Sequence, residues 1–265
     1  VSLTRRQVTA AALAAVPFGA MAAGPAHAGA RRTRTLYIAG DSTAAQKYSD
    51  AAPETGWGMA LPFFLHTGLP VADHAVNGRS SKSFIDEGRL DAVLAAIRPG
   101  DLLLVQFAHN DEKTTDPTRY TEPWTTYQDC LRQYLTGARA KGARPVLVTP
   151  VERRRFDAAG TALPTHGEYP AAMRALAAQE RVALLDVQAL SLALWQRLGV
   201  EETKTYFNWT ATEQDNTHFN PPGAIAVARL VVRELLRTRV LAPCDAVRLN
   251  EQIPASWITW PDPLT

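Results

Sequence analysis

Two cysteines in 265 residues are too few for a disulfide scaffold or a four-cysteine zinc site. No uninterrupted apolar run is long enough to cross a bilayer convincingly. A dominant charge is missing as well. The 28 Lys+Arg face 26 Asp+Glu, a formal net charge of +2, which gives no whole-chain argument for binding nucleic acid. Several catalytic signatures are also absent: Gly-x-Gly-x-x-Gly, a phosphate-binding loop, His-Glu-x-x-His and the Gly-x-Ser-x-Gly elbow. What remains is a chain with 46% hydrophobic and 20% charged residues. That composition argues against disorder, and the length allows a sizeable core.

The first 28 residues read as an address. Arg5-Arg6 precede a weakly apolar, Ala-rich stretch that ends in Ala26-His27-Ala28, a small-x-small cleavage pattern. The paired arginines resemble a twin-arginine signal, which implies export of a folded, secreted protein. Pro17, Gly19, Gly24 and Pro25 argue against a helix of the mature protein here. Without this segment the body holds 26 basic and 26 acidic residues. The expected organisation is a signal over 1–28, a catalytic domain over 29–249 and a C-terminal tail or surface-wrapping segment over 250–265. Cys130 and Cys244 are either one bridge or two buried thiols, and both readings stay open.

In the body, short apolar runs alternate with helical patterns. Strands are expected at 36–39, 71–76, 102–107, 145–149 and 182–186. Helices are expected near 57–67, 83–97, 122–141, 167–180, 187–198 and 221–238. Long loops are expected near 109–121 and 200–219. This alternation predicts an α/β fold whose parallel sheet carries helices on both faces. In such sheets ligands gather at the carboxyl ends of the strands.

Polar clusters fall at those ends. Gly40-Asp41-Ser42-Thr43 follows the first strand, Asn77-Gly78-Arg79-Ser80-Ser81 the second, and Ala108-His109-Asn110-Asp111 the third. Asp215-Asn216-Thr217-His218 precedes the last helix. Together they contain the parts of acyl transfer. Ser42 supplies a hydroxyl, His218 a base that titrates near neutrality, and Asp215 a carboxylate to orient the ring. The backbone N–H groups of Ser42 and Gly78 and the amide of Asn110 are candidate oxyanion donors. Each cluster alone is an ordinary turn or cap, and Ser80–Ser83 reads as a helix entrance. Their joint placement is what singles them out.

On these residues the chain resembles the SGNH (GDSL-like) hydrolases, and within them the rhamnogalacturonan acetylesterase group, over roughly 35–239. Gly40-Asp41-Ser42 matches the nucleophile block, with Thr43 in place of leucine. Gly78 matches the glycine block. His109-Asn110-Asp111 matches the Gly-x-Asn-Asp block with Ala108 in place of its glycine, and Asp215-x-x-His218 matches the final block. The resemblance implies a three-layer flavodoxin-like fold with a five-stranded parallel sheet. It also implies a metal-free, cofactor-free Ser-His-Asp esterase that removes acetyl groups from pectic polysaccharide. Arg79, Arg153 and Arg154 are candidate contacts for the carboxylates of such a polymer, or simply solvated loop residues. Trp57 and Trp124 either stack on sugars or pack in the core. The partner expected is an acetylated polysaccharide, with no nucleic acid, no membrane span in the mature chain, and a monomeric protein.

Three other readings compete. His109, Asp111, Asp215 and His218 offer two nitrogens and two carboxylates to a metal, but that leaves Ser42 and Gly78 without a role. An esterase or lipase of the same superfamily acting on xylan, peptidoglycan or lipid would, for lipid, need an apolar acyl groove. A non-catalytic carbohydrate-binding protein should lack one catalytic part, and none is missing.

Overall fold

The computed structural model describes residues 33–263, so the signal segment expected over 1–28 lies outside the described residues. The five apolar runs form five strands: β1 (Leu36–Gly40), β2 (Val71–Asp73), β3 (Leu102–Gln106), β4 (Arg144–Val148) and β5 (Ala183–Leu185). They make one parallel sheet in the order β2-β1-β3-β4-β5. The α/β sandwich is the one expected.

Alternation along the strands sorts the core into two layers. Leu36, Ile38, Leu102, Leu104, Val146 and Val148 face one cluster. It is completed by α1 (Trp57–Ala60), α6 (Val187–Glu202) and α7 (Pro221–Arg237). Tyr37, Ala39, Leu103, Val105 and Leu147 face the other. There they meet α2 (Ser81–Asp86), α3 (Arg89–Ala96), α4 (Gln128–Ala140) and α5 (Tyr169–Glu180). On α4 the buried Leu131, Tyr134, Leu135 and Ala138 form a single stripe at helical spacing. No helix among the described residues is long and apolar enough to cross a membrane.

Three expected elements change shape. The helix over 83–97 is two helices, because Gly88 adopts a left-handed conformation (φ 70°) between them. The helix over 57–67 ends after one turn and continues as a 3-10 turn over Leu61–Phe64, with Pro62 lacking the N–H that an α-helix would use. The loop expected over 200–219 is largely ordered structure. The end of α6 leads into a 3-10 turn (Thr203–Tyr206) and an antiparallel hairpin of β6 (Phe207–Trp209) and β7 (Gln214–Phe219). Gln214–Phe219 is polar except for Phe219, so no alternation of apolar residues marks it as a strand.

The C-terminal stretch packs on the body. Ile253 and Ile258 are buried in the α7 cluster, and Trp260 Nε1 donates to the Glu54 carbonyl at 2.8 Å. Both cysteines are free, Cys130 half-buried and Cys244 exposed. The expected burial of two thiols therefore holds only in part, and burial pushes the Cys130 thiol up to about 11.

Candidate active site

β1 and β3 are neighbours at the point where strand order reverses. The polar segments after them therefore open into the same crevice. A cleft of about 380 Å³ is lined there by Ser42, Glu54, Asn77, Gly78, His109, Asn110, Lys113, Arg153, Thr217 and His218. Every one of these is polar or glycine.

β7 delivers the histidine. Asp215 Oδ1 accepts the backbone N–H groups of Thr217 (2.6 Å) and His218 (3.0 Å). These bonds turn the chain back so that Asp215 Oδ2 meets His218 Nδ1 at 2.6 Å. That contact keeps the proton on Nδ1 and leaves the Nε2 lone pair toward Ser42 Oγ, 2.8 Å away. Burial works against the Asp215 carboxylate, but its bonds to His218 and Thr217 outweigh it and hold the carboxyl at about 2. Burial also opposes the His218 imidazolium. The Asp215 bond and the nearby charges of Glu54 and Asp215 overcome this, and the ring titrates above its ordinary value.

The donors expected around Ser42 share the cleft. Gly78 has φ 76°, a conformation that glycine adopts without strain. Neither the Ser42 nor the Gly78 N–H finds a protein acceptor among the described residues. Asn110 is buried, and its Nδ2 donates one hydrogen to the Arg79 carbonyl at 3.0 Å, leaving the second free for another acceptor.

The family model for the GDSL-like lipase/acylhydrolase family matches residues 38–224. The chain belongs to this family. It is 45% identical over 198 residues to the probable rhamnogalacturonan acetylesterase YesY of Bacillus subtilis (strain 168), covering 75% of this chain and 90% of that one. It is 42% identical over 205 residues to the rhamnogalacturonan acetylesterase RhgT of the same organism, covering 74% and 87%. A crystal structure of the protein YXIM from Bacillus subtilis superposes with a TM-score of 0.70 at 32% identity. That match covers 78% of this chain and 57% of the other. Membership makes the chain a serine carboxylic ester hydrolase.

Asp41 and His109, inside the matched motifs but given no role there, support this GDSL-like site. Asp41 is fully buried and accepts from Thr43 N (2.9 Å), Thr43 Oγ1 (2.7 Å) and Gln106 Nε2 (3.1 Å). His109 Nδ1 lies 3.1 Å from the same carboxylate. Burial pushes the His109 imidazole well down, so the ring is neutral near pH 7 and can donate Nδ1–H to Asp41. This network fixes the turn that presents Ser42. Gln106 lies outside the motifs, and its one signal is that it is a polar residue ending an apolar strand.

The arginines separate. Arg153 reaches the cleft, where it pairs with Glu112 beside His166. Arg79 turns away and binds Glu87 at 3.0 Å in an adjoining cavity. Arg154 is a support for the hairpin. Its guanidinium lies 4.6 Å from the Trp209 ring and bonds Asn216 Oδ1 (3.0 Å) and the Val200 carbonyl (2.7 Å). Neither Arg79 nor Arg154 lines this cleft; both guanidiniums are engaged in the cavities beside it. Lys113, which no motif marked, lines the cleft with no ion-pair partner among the described residues. Trp57 is fully buried and donates to Gln106 Oε1 at 3.0 Å, while exposed Trp124 is not among the cleft residues. The helix entrance read at Ser80–Ser83 is a capping box, with Ser80 and Ser83 bonding each other's backbone N–H.

The four side chains of the metal reading are each otherwise engaged. Asp111 accepts from Ser81 and Thr121, His109 is bound to Asp41, and Asp215 to His218. Among the described residues, no group of three or more such side chains is arranged to hold a metal ion.

Proposed function

We propose that the chain is an exported carbohydrate acetylesterase that removes acetyl groups from pectic polysaccharide, rhamnogalacturonan in particular. The observation that carries this reading is the Ser42–His218–Asp215 chain of contacts, at 2.8 and 2.6 Å, in a cleft lined by polar residues and glycine. The two relatives above 40% identity that are named for rhamnogalacturonan support the substrate. So does Lys113 at the cleft, a cation with no ion-pair partner among the described residues that would attract the carboxylates of a uronate polymer.

In this mechanism His218 Nε2 takes the proton of Ser42 Oγ as that oxygen attacks the acetyl carbonyl. The N–H groups of Ser42 and Gly78 and the Asn110 amide receive the oxyanion. The intermediate collapses, the bond from carbonyl carbon to sugar oxygen breaks, and His218 returns the proton to the departing hydroxyl. Water then gives a proton to His218 and attacks the acetyl-enzyme. Collapse releases acetate and restores the Ser42 hydroxyl. Asp215 keeps the ring in one tautomer throughout. No large aliphatic or aromatic side chain is among the cleft's lining residues, which supports a small acyl group on a polar alcohol.

The test is acetate release from acetylated rhamnogalacturonan, homogalacturonan, xylan and peptidoglycan, each with a chemically deacetylated control. Rhamnogalacturonan is expected to react fastest, and Ser42→Ala to abolish release. Faster release from xylan or peptidoglycan would reassign the substrate. Saccharide binding with no release from any ester would reassign the protein as a binding module.

A further inference from the structure

A lysine ammonium is seldom buried unless it is paired. The side chain of Lys47 is 0% exposed. Its Nζ donates to the Glu54 carboxylate at 2.6 Å and to the Asn77 side-chain carbonyl at 2.6 Å. Both partners line the cleft. Glu54 Oε1 is 4.0 Å from His218 Nε2, the nitrogen that faces Ser42 Oγ. Asn77 adjoins Gly78, whose N–H is a candidate oxyanion donor.

We propose that Glu54 is a second carboxylate acting on the reacting nitrogen of His218, and that Lys47 is the positioning residue that holds it there and ties it to the Asn77–Gly78 wall. The inference rests on the reading of His218 as general base. Glu54 acts through His218, so it too is a positioning residue.

The arrangement answers a specific problem. When His218 takes the serine proton, positive charge develops on a partly buried ring. Asp215 offsets it at Nδ1, and Glu54 offsets it on the Nε2 side. A bare carboxylate this close would compete with Ser42 for Nε2–H and draw the ring aside. Lys47 engages Glu54 and reduces its charge, so that the field remains while the competing bond is weakened. Burial opposes the imidazolium, Asp215 and Glu54 favour it, and Lys47 disfavours it. The other charged or titratable groups nearby are Lys113, Arg153 and neutral His109 in the same cleft, and Asp73 near Lys47. Burial raises the Asp73 carboxyl to about 7, so it is a weaker counter-ion than Glu54.

The backbone that presents Glu54 is fixed from both sides. Thr55 N donates to the Phe219 carbonyl at 2.8 Å, next to His218 in sequence, and Trp260 Nε1 holds the Glu54 carbonyl at 2.8 Å. The carboxylate is therefore carried by an anchored segment.

The experiment follows the His218 ring by NMR titration in the free enzyme, alongside the acid limb of kcat/KM on an acetylated substrate. Glu54→Gln removes a negative charge, so the ring titrates lower and the limb moves to lower pH. Turnover at neutral pH falls by about tenfold, less than the 10²–10³ expected for a lost oxyanion donor. Lys47→Met removes a positive charge, so the ring titrates higher. Glu54→Asp keeps the charge and restores part of the shift. An unmoved His218 titration in Glu54→Gln overturns the proposal, as do shifts of the same sign in Glu54→Gln and Lys47→Met. If Lys47→Met does not fold, the half-exposed Glu54 variants decide alone. The ring titration needs no substrate, so a protein inactive on every acetylated polymer defeats the esterase reading without being mistaken for failure at Glu54.

Discussion

Asp215 and His218 are three residues apart, and the intervening turn is held by the Asp215 carboxylate itself. One side chain thus shapes the backbone, sets the tautomer and raises the imidazole pKa. For the proposed mechanism the sign is definite. The base must be neutral, so activity falls as pH drops through the His218 value, which lies above the ordinary 6.5. The acid limb of kcat/KM should therefore sit above that of an unperturbed imidazole. A profile flat from about pH 5 to 8 would count against His218 as base. Asn110→Ala should lower kcat by about 10²–10³ with little change in KM, because the oxyanion exists only after attack. An unchanged kcat removes Asn110 from the oxyanion pocket. Ser42, Gly78 and Asn110 were legible because strand ends converge in a parallel sheet, and Asp215 and His218 through their spacing just before the last helix. Lys47, Glu54 and Lys113 were not, since each is a lone charge in the sequence with no motif around it. The arginines show the same limit: Arg79 and Arg154 find partners that no spacing along the chain reveals.

Among the elements, the apolar strands and long amphipathic helices were readable, and the hairpin that carries the base was not. Its stability comes from side chains outside the strands. Arg154 stacks on Trp209 and bonds Asn216, and its own N–H donates to the Asn216 carbonyl at 2.8 Å. The stacking contributes about 0.5–2 kcal/mol. Arg154→Ala should lower Tm by a few degrees, at about 2–4 °C per kcal/mol for a chain of this size. A loosened hairpin displaces His218 from Ser42, so kcat should fall on a small neutral ester and on the polymer alike. Parallel kinetics on the two substrates check this. A rise in KM confined to the uronate polymer would instead return Arg154 to the substrate surface.

At the scale of the whole molecule, the question is whether the last residues belong to the folded unit. Their Pro- and Trp-rich composition suggested a tail, but composition does not say what a tail covers. Ile253 and Ile258 fill positions beside α7, and Arg229 Nη2 donates to the Glu251 carbonyl at 2.7 Å. Burying a large aliphatic side chain contributes about 1.5–3 kcal/mol, an upper figure because the unfolded chain already hides some of that surface. Two such side chains give roughly 3–6 kcal/mol, so a chain ending at Leu249 should melt roughly 10 °C or more below the full one. The same truncation removes the Trp260 bond to the Glu54 carbonyl. Acetate release should then drop even at temperatures where the shortened protein is fully folded, with loss of the Glu54 contribution to the His218 titration. Thermal unfolding and activity measured side by side test both halves. A truncated chain that melts with the full-length protein would make the segment an appendage. One that melts early but keeps full activity would confine its role to stability and free Glu54 from any dependence on Trp260.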